Sequence, residues 1–340
     1  MKNNHIKQSE TILTGDRATG PLHLGHYVGS LKQRVELQSN HKQTILVADM
    51  QGLTDNANNP SIVSENILNV VADYLAVGID PKLTTICLQS QLPALTELTM
   101  LYSNLVTIAR LERNPTVKNE IHQKGFARSI PAGFLTYPIS QAADITAFNA
   151  TLIPVGDDQL PMIEQTNEIV RKINSLAKKR VLNECRPLLS KSSRLPSTDG
   201  KSKMSKSNGK PINLGSNEKE IRQAVRSMYT DPNHQSIDSP GRIAGNVVFT
   251  YLDTFHSDIA YVKQLKEHYQ RGGLGDGYTK AILEECLQEF IRPIRKRRNE
   301  LLRDKSFLIE VLKSGSKKSQ IETKKVLLQV KDIFGLNILN

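Results

Sequence analysis

Cysteine is scarce in this sequence and tryptophan is absent. The three cysteines, Cys87, Cys185 and Cys286, stand far apart. That argues against a disulfide framework or a thiolate metal site and fits a reducing cytoplasm. Long apolar runs are missing too. No segment approaches the roughly 18 consecutive apolar residues that a membrane-spanning helix needs. The opening MKNNHIKQSE has no apolar core of the kind a secretory signal carries. The expectation is a cytoplasmic protein, neither secreted nor membrane-spanning.

Charge of one sign is present, but in patches. The net charge is +11 over 340 residues. Residues 171–210 hold twelve Lys/Arg against two Asp/Glu, and residues 291–340 hold thirteen against five. The rest of the chain is mildly acidic. An anionic partner touched at particular places, such as nucleic acid or polyphosphate, fits this distribution. So does a solvated lysine-rich surface.

Along the first half, strands and helices alternate. Ile12-Leu13 lead into glycine turns, and Leu31 to Leu37 reads as helix. TILVA, 44 to 48, reads as a strand. Ser61 can cap a helix whose apolar residues recur from Ile62 to Leu75 and which stops at Gly78. TTICLQS, 84 to 90, is a further strand, followed by a helix from Leu95 to Leu111. TLIPV, 151 to 155, is strand-like, and Met162 to Leu176 is helical. This alternation predicts an α/β fold, a doubly wound parallel sheet with helices on both faces. Ligands then sit at the carboxyl ends of the strands, where Asp49, Gln51 and Gln89 lie. From Lys178 to Lys210 regularity fails, which reads as a mobile basic segment. Beyond Glu218 the pattern is helical: 218–229, 244–255, 258–269, 276–313 with a break near Pro293, and 316–333. The expected organisation is a first unit over 1–217 and an all-α region over 218–340.

Three stretches carry chemistry. In TGDRATGPLHLGHYVGSL, 14 to 31, a glycine turn after a strand brings backbone N–H groups to a ligand, and a helix starting near His26 adds its positive end. Together these favour phosphate. The stretch has no GxGxxG, and no GKS or GKT ends it, so it is neither the dinucleotide fingerprint nor a P-loop. His23 and His26 lack a third metal ligand and suit donation to phosphate oxygens better. KSKMSKSNGK, 201 to 210, gathers lysines that could clamp a polyphosphate, or form an exposed linker. In YPISQAADI, 137 to 145, a helix puts Gln141 and Asp144 on one face with Tyr137 a turn earlier. An aspartate among Ala, Ile and Phe needs a donor, and a substrate N–H or O–H would supply one.

HLGH, 23 to 26, resembles the first signature of the class I aminoacyl-tRNA synthetases, and KMSKS, 203 to 207, is identical to the second. The resemblance runs on through LAVGIDP, ARLERNPTVK, FLTYPISQAADI, PVGDDQ, YTDPN, GNVVFTYLD and RGGLGD, and is to the bacterial tryptophanyl-tRNA synthetases. It implies the class I nucleotide-binding fold over 1–217, with the KMSKS loop at 201–210, and a helical anticodon-binding region over 218–340. It implies formation of tryptophanyl-adenylate from tryptophan and ATP, transfer to tRNA(Trp), a homodimer, and Mg2+ arriving with ATP rather than in a dedicated protein site.

By the same resemblance, His23 and His26 contact ATP phosphates and Gly25 admits the nucleotide. Gly15, Arg17 and Thr19 shape the floor. Lys203, Met204, Ser205 and Lys206 form the second signature, whose lysines hold pyrophosphate, and Lys118 reaches the triphosphate. Gly156 and Asp158 lie near the ribose and amino acid. Tyr137, Gln141 and Gln159 surround the amino acid, and Tyr137 and Gln159 orient its ammonium. Asp144 accepts the indole N–H, and Gln51 lies by the carboxylate. Three positions depart from the pattern. Ala18 stands where proline is usual, Pro21 where lysine is common, and Met50 where glutamine is usual.

The tyrosine enzyme shares both signatures and the Tyr137–Gln141–Asp144 spacing, but PVGDDQLPMIE resembles the tryptophan enzyme. A paralogue that keeps the fold without aminoacylating, and a plain polyanion-binding module, are the other readings. Arg295, Arg297 and Arg298, in RPIRKRRNE, are candidates for tRNA contact, or face the catalytic unit. A chain that lacks tryptophan would remain translatable when tryptophan is scarce. A variant with several Trp codons that is made equally well in starvation would empty that idea.

Overall fold

The computed structural model describes residues 9–126, 129–189, 195–200, 204 and 211–338. Five strands form one parallel sheet: β1 (Thr11–Arg17), β2 (Lys42–Ala48), β3 (Thr84–Leu88), β4 (Leu152–Val155) and β5 (Arg186–Leu189), in the order β3-β2-β1-β4-β5. The strand order reverses between β1 and β4, and the opening there faces the carboxyl ends of all strands. β2 is buried along six of its seven residues, as a strand covered on both faces requires. Ile45 and Val47 enter one core and Leu46 the other, which is the period-two alternation of a pleated strand.

The helices between the strands begin with α1 (Leu24–His26) and α2 (Lys32–Leu37), joined through a wider turn over Tyr27–Leu31. Then come α3 (Asp49–Gly52), α4 (Ser61–Ala76), α5 (Pro93–Ser103), α6 (Ile108–Glu112), α7 (Pro115–Lys124), α8 (Ala132–Ala147) and α9 (Leu160–Ala177). The later helices are α10 (Glu218–Arg226), α11 (Val247–Phe255), α12 (Ile259–Arg271), α13 (Asp276–Arg303) and α14 (Lys305–Ile333).

The structure corrects four local expectations. The expected helix over 95–111 is two, because Thr107 starts a new one: its Oγ1 accepts from Arg110 N at 3.2 Å. Ser61 does not cap α4; it is the first helical residue, and its hydroxyl donates to Asn59 at 2.8 Å. The break expected near Pro293 falls at Asp304 instead. An internal proline costs about 3 kcal/mol, and burial of Leu287, Ile291 and Ile294 around it holds α13 straight through. Asp304 leaves the helical region at ψ 75° and accepts from Phe307 N, which restarts the helix. Finally, the segment read as irregular contains β5, and Leu152 pairs with Arg186. Pro187 hid it, although proline is tolerated on an edge strand.

α14 covers the opposite edge of the sheet. A Cβ on Gly315 would lie 1.9 Å from the Ile86 carbonyl oxygen, so only glycine allows this approach. Next to it, Leu88 N donates to Ser316 Oγ at 3.1 Å, satisfying an edge N–H that would otherwise invite another strand. Leu308 and Leu312 of α14 share a core with Ile86 and with residues of α4, α10, α11 and α13, so one apolar core runs across position 217. Among the described helices none is long and apolar enough to cross a membrane.

Candidate active site

Four strand ends deliver the candidate residues to one place. β1 delivers the opening glycine turn, β2 delivers Asp49 and Gln51, β3 delivers Gln89, and β4 delivers Gly156 to Gln159. The first half of the site is built from backbone. At Gly15 a Cβ would sit 2.3 Å from the Leu46 carbonyl oxygen, so β1 and β2 approach too closely for any side chain. Beyond Arg17, Thr19 N donates to Arg17 O at 2.8 Å, forming the turn. Arg17 itself is exposed and pairs with Asp55 at 3.0 Å. Ala18 is fully buried in the core, so this departure from the signature packs inward and does not line the site.

His23 is the N-cap of α1: its Nδ1 accepts from Gly25 N at 3.1 Å. His26 Nδ1 accepts from His23 N at 3.2 Å. The two rings lie 3.9 Å apart. In a neutral imidazole, an accepting Nδ1 leaves the proton on Nε2. Both histidines therefore carry an Nε2–H donor, as a phosphate contact needs. A Cβ on Gly25 would meet the His23 ring at 2.9 Å and Met204 Cβ at 3.4 Å.

Met204 connects the two signatures. It is buried, and its N–H donates to Leu195 O at 3.0 Å. Leu24 N donates to Ile212 O and Leu214 N to Leu22 O, both at 2.9 Å, and His23 bridges Asn213. Residues 212–214 thus run antiparallel beside the first signature. Lys203, Ser205 and Lys206 lie outside the described residues, but Met204 between them is packed against Gly25, not carried on an exposed linker. Leu195 and Thr198 are also buried, with Tyr229 N donating to Thr198 O at 2.8 Å.

Beneath the turn, Asp16 accepts from Arg34 at 2.7 Å and from Tyr74 at 2.8 Å. Burial, the largest single influence, disfavours its charge, but the Arg34 guanidinium, His26 and the Tyr74 hydroxyl together outweigh it and hold the carboxyl well below the usual range. A fixed negative charge therefore sits under the histidines.

The second half of the site is built from side chains. α8 carries Tyr137, Gln141 and Asp144 at helical spacing, as expected. Asp144 is buried and held by two amides. Gln51 Nε2 donates to its Oδ2 at 2.9 Å, and Gln89 Nε2 donates to Oδ2 at 2.9 Å and Oδ1 at 3.1 Å. Gln51 N in turn donates to Gln89 Oε1 at 3.1 Å, which fixes the orientation of the second amide. Burial pushes the Asp144 carboxyl up to about 8, against the pull of Gln89. Tyr137 donates to Glu120 of α7 at 2.9 Å; burial, then the Glu120 charge, keep the phenol protonated.

Gln141 donates to Gln159 Oε1 at 3.4 Å, and Gln159 donates to Asp158 at 3.0 Å. A Cβ on Gly156 would lie 2.9 Å from Asp158 Oδ1. Lys118 is exposed on α7, the helix that bears Glu120. The sequence reading placed Gln89 at a strand end but gave it no role, and it missed Glu120 altogether. Gln89 had a signal, a polar residue ending a buried strand; Glu120, in PTVKNE, had none.

Arg295 and Arg298 are half-buried against the first unit, while Arg297 stays exposed but also bonds to it. Arg295 donates to Ser216 O at 2.9 Å, Arg297 to Ala76 O at 3.1 Å, and Arg298 to Asp73 at 2.5 Å and Asn69 at 3.0 Å. They tie α13 to α4 and to the chain that leaves the second signature, which is the second placement the sequence left open for them, facing the catalytic unit.

A nucleotide turn at the switch point of a parallel sheet, with two signature segments packed together, defines a class I aminoacyl-tRNA synthetase. The family model for class I tRNA synthetases (W and Y) matches residues 5–292. A tryptophan–tRNA ligase of Clostridium longisporum is 55% identical over 335 residues, covering 97% of this chain and 98% of the relative. One from Streptococcus pyogenes is 55% identical over 333 residues, with 96% and 98% covered. The crystal structure of the Campylobacter jejuni tryptophanyl-tRNA synthetase, complexed with ADP and tryptophan, superposes with a TM-score of 0.84 at 28% identity, covering 96% of this chain and 100% of that one. The chain belongs to the bacterial tryptophanyl-tRNA synthetases.

Proposed function

We propose that the two halves of this site divide one reaction, the backbone-built half holding ATP and the side-chain-built half holding tryptophan. The chain activates L-tryptophan with ATP to tryptophanyl-adenylate, releases pyrophosphate, and transfers tryptophan to tRNA(Trp). The tryptophan carboxylate attacks the α-phosphate, so no protein nucleophile is needed, and the enzyme positions and stabilises charge. His23 and His26 donate Nε2–H to the phosphates over the floor of Gly15, Arg17 and Thr19, with Gly25 giving room. Lys118, Lys203 and Lys206 neutralise the leaving pyrophosphate, with Met204 and Ser205 shaping that segment.

On the other half, Asp144 accepts the indole N–H, and Gln51 and Gln89 hold it in place. A tyrosine oxygen that donates to Glu120 keeps lone pairs for an ammonium, so Tyr137 and Gln159 orient the amino group and Gln141 steadies Gln159. Gly156 and Asp158 lie beside the ribose. ATP arrives as its Mg2+ complex, and the working form is a cytoplasmic homodimer, as the family resemblance implies. We assign activation to 1–217 and anticodon contact to 218–340. The helical part offers a cavity of about 680 Å³ lined by residues that include Tyr261, His268, Arg271 and Tyr278, suited to stacking a splayed base.

One observation carries the reading: Met204 of the second signature packs on Gly25 of the first. ATP–pyrophosphate exchange with each of the twenty amino acids tests it. Exchange dependent on tryptophan alone supports it, and exchange with tyrosine sinks it.

A further inference from the structure

Asp73 lies in the last turn of α4, fully buried beside Val70, Val71, Tyr74 and Leu75. Its two oxygens point to different parts of the molecule. Oδ2 accepts from Leu22 N, the residue before His23, at 2.8 Å. Oδ1 accepts from Arg298 Nε of α13 at 2.5 Å. Arg298 also donates to Asn69 Oδ1, one turn earlier on α4, at 3.0 Å.

The same guanidinium lies against the segment that leaves the second signature. A Cβ on Gly215 would meet Arg298 Cδ and Nη1, each at 3.1 Å. That segment is bonded back to the first signature through Leu214 N and Leu22 O at 2.9 Å. Leu22 is therefore gripped on both sides, its N–H by Asp73 and its carbonyl by Leu214, while Arg298 packs behind both. Arg295 and Arg297, bonded to Ser216 O and Ala76 O, flank the pair and hold α13 in the same register.

We propose that Asp73 and Arg298 are a positioning pair that sets the place of His23 against the segment leaving the second signature. The helical region is thereby wired to the phosphate half of the site. Neither residue touches substrate; both act through Leu22 and Gly215. The proposal rests on the reading of His23 as a phosphate donor. A buried charged pair fixes a geometry that neither partner fixes alone. An apolar pair could fill the same space without fixing the Leu22 backbone.

The test is ATP–pyrophosphate exchange by the full-length enzyme, with melting temperature followed in parallel. Arg298→Met should lower kcat about a hundredfold, the cost of a misplacement near 1 Å, and leave the KM for tryptophan within about twofold. Arg298→Lys should recover most of kcat. In Asp73→Asn/Arg298→Met the asparagine still accepts from Leu22, and both charges of the pair are gone. This double variant should regain the melting temperature but not kcat, and it decides the matter where Arg298→Met fails to fold. Recovery of kcat together with stability would overturn the proposal, as would a tryptophan KM that rises as far as kcat falls. His23→Asn serves as the control. A lost kcat there with a normal kcat in Arg298→Met overturns the positioning pair alone. Full activity in His23→Asn overturns the phosphate-donor reading, and the proposal with it.

Discussion

The two halves of the site are made in opposite ways. On the proposed phosphate half the chain itself is the binding surface: a strand end whose close approach only glycine permits, a helix N-terminus, and two rings locked by main-chain N–H groups. On the amino-acid half the chain is a regular helix, and recognition rests on one buried carboxyl with two amides around it. Triphosphate is the same in every synthetase reaction, so generic backbone donors suffice. On the proposed reading the indole N–H meets a single buried acceptor, costly when unmatched, and that acceptor does the selecting.

That contrast can be broken from either side. The largest effect should come from His23→Asn, which removes a phosphate donor. We expect kcat for exchange to fall about 10²–10³-fold, as when one transition-state donor is lost, with the tryptophan KM unchanged. Asp144→Ala should do the reverse and strike tryptophan. A bond to a charged acceptor is worth about 1.5–3 kcal/mol, so kcat/KM for tryptophan should fall roughly ten- to a hundredfold while the KM for ATP holds. Equal losses in both constants for either variant would erase the division.

Gly15→Ala attacks the backbone half through stability. Its Cβ would fall 2.3 Å from a carbonyl oxygen, so β1 and β2 must part. A cost of about 1–3 kcal/mol is expected, read as a lower denaturation midpoint. The remaining test is in pH. The Asp144 carboxyl lies at about 8, above its ordinary 3.8. The folded chain therefore binds the extra proton, and this group's stabilisation is full below about 4 and declines as pH rises to about 8. Tryptophan binding should strengthen over the same rise, as the acceptor becomes charged. Asp144→Asn should flatten both slopes, seen by melting and by titration calorimetry.

The phosphate half was the more legible in the sequence, because its parts are contiguous: the glycines and both histidines fall within TGDRATGPLHLGHYVGSL. Asp144 was legible as an acid in an apolar helix, with Tyr137 and Gln141 at helical spacing. Its holders were not. Gln51 and Gln89 come from two other strands and meet Asp144 only when the sheet is assembled. Arg298 was left ambiguous for the same reason. A run of four basic residues looks like an RNA surface until a partner 225 positions away is brought beside it. The β5 strand was lost because Pro187 and a basic neighbourhood suppress every strand signal except the pairing itself. Pro293 misled in the other direction, since local propensity predicts a break that packing overrides.

The central claim is that Asp144 selects tryptophan through the indole N–H. The direct measurement compares kcat/KM in ATP–pyrophosphate exchange for tryptophan and for its benzothienyl analogue, in which sulfur replaces N–H. The enzyme should favour tryptophan by roughly ten- to a hundredfold, the worth of a bond to a charged acceptor, and Asp144→Ala should use the two alike. Equal use of both by the unaltered enzyme would contradict the account.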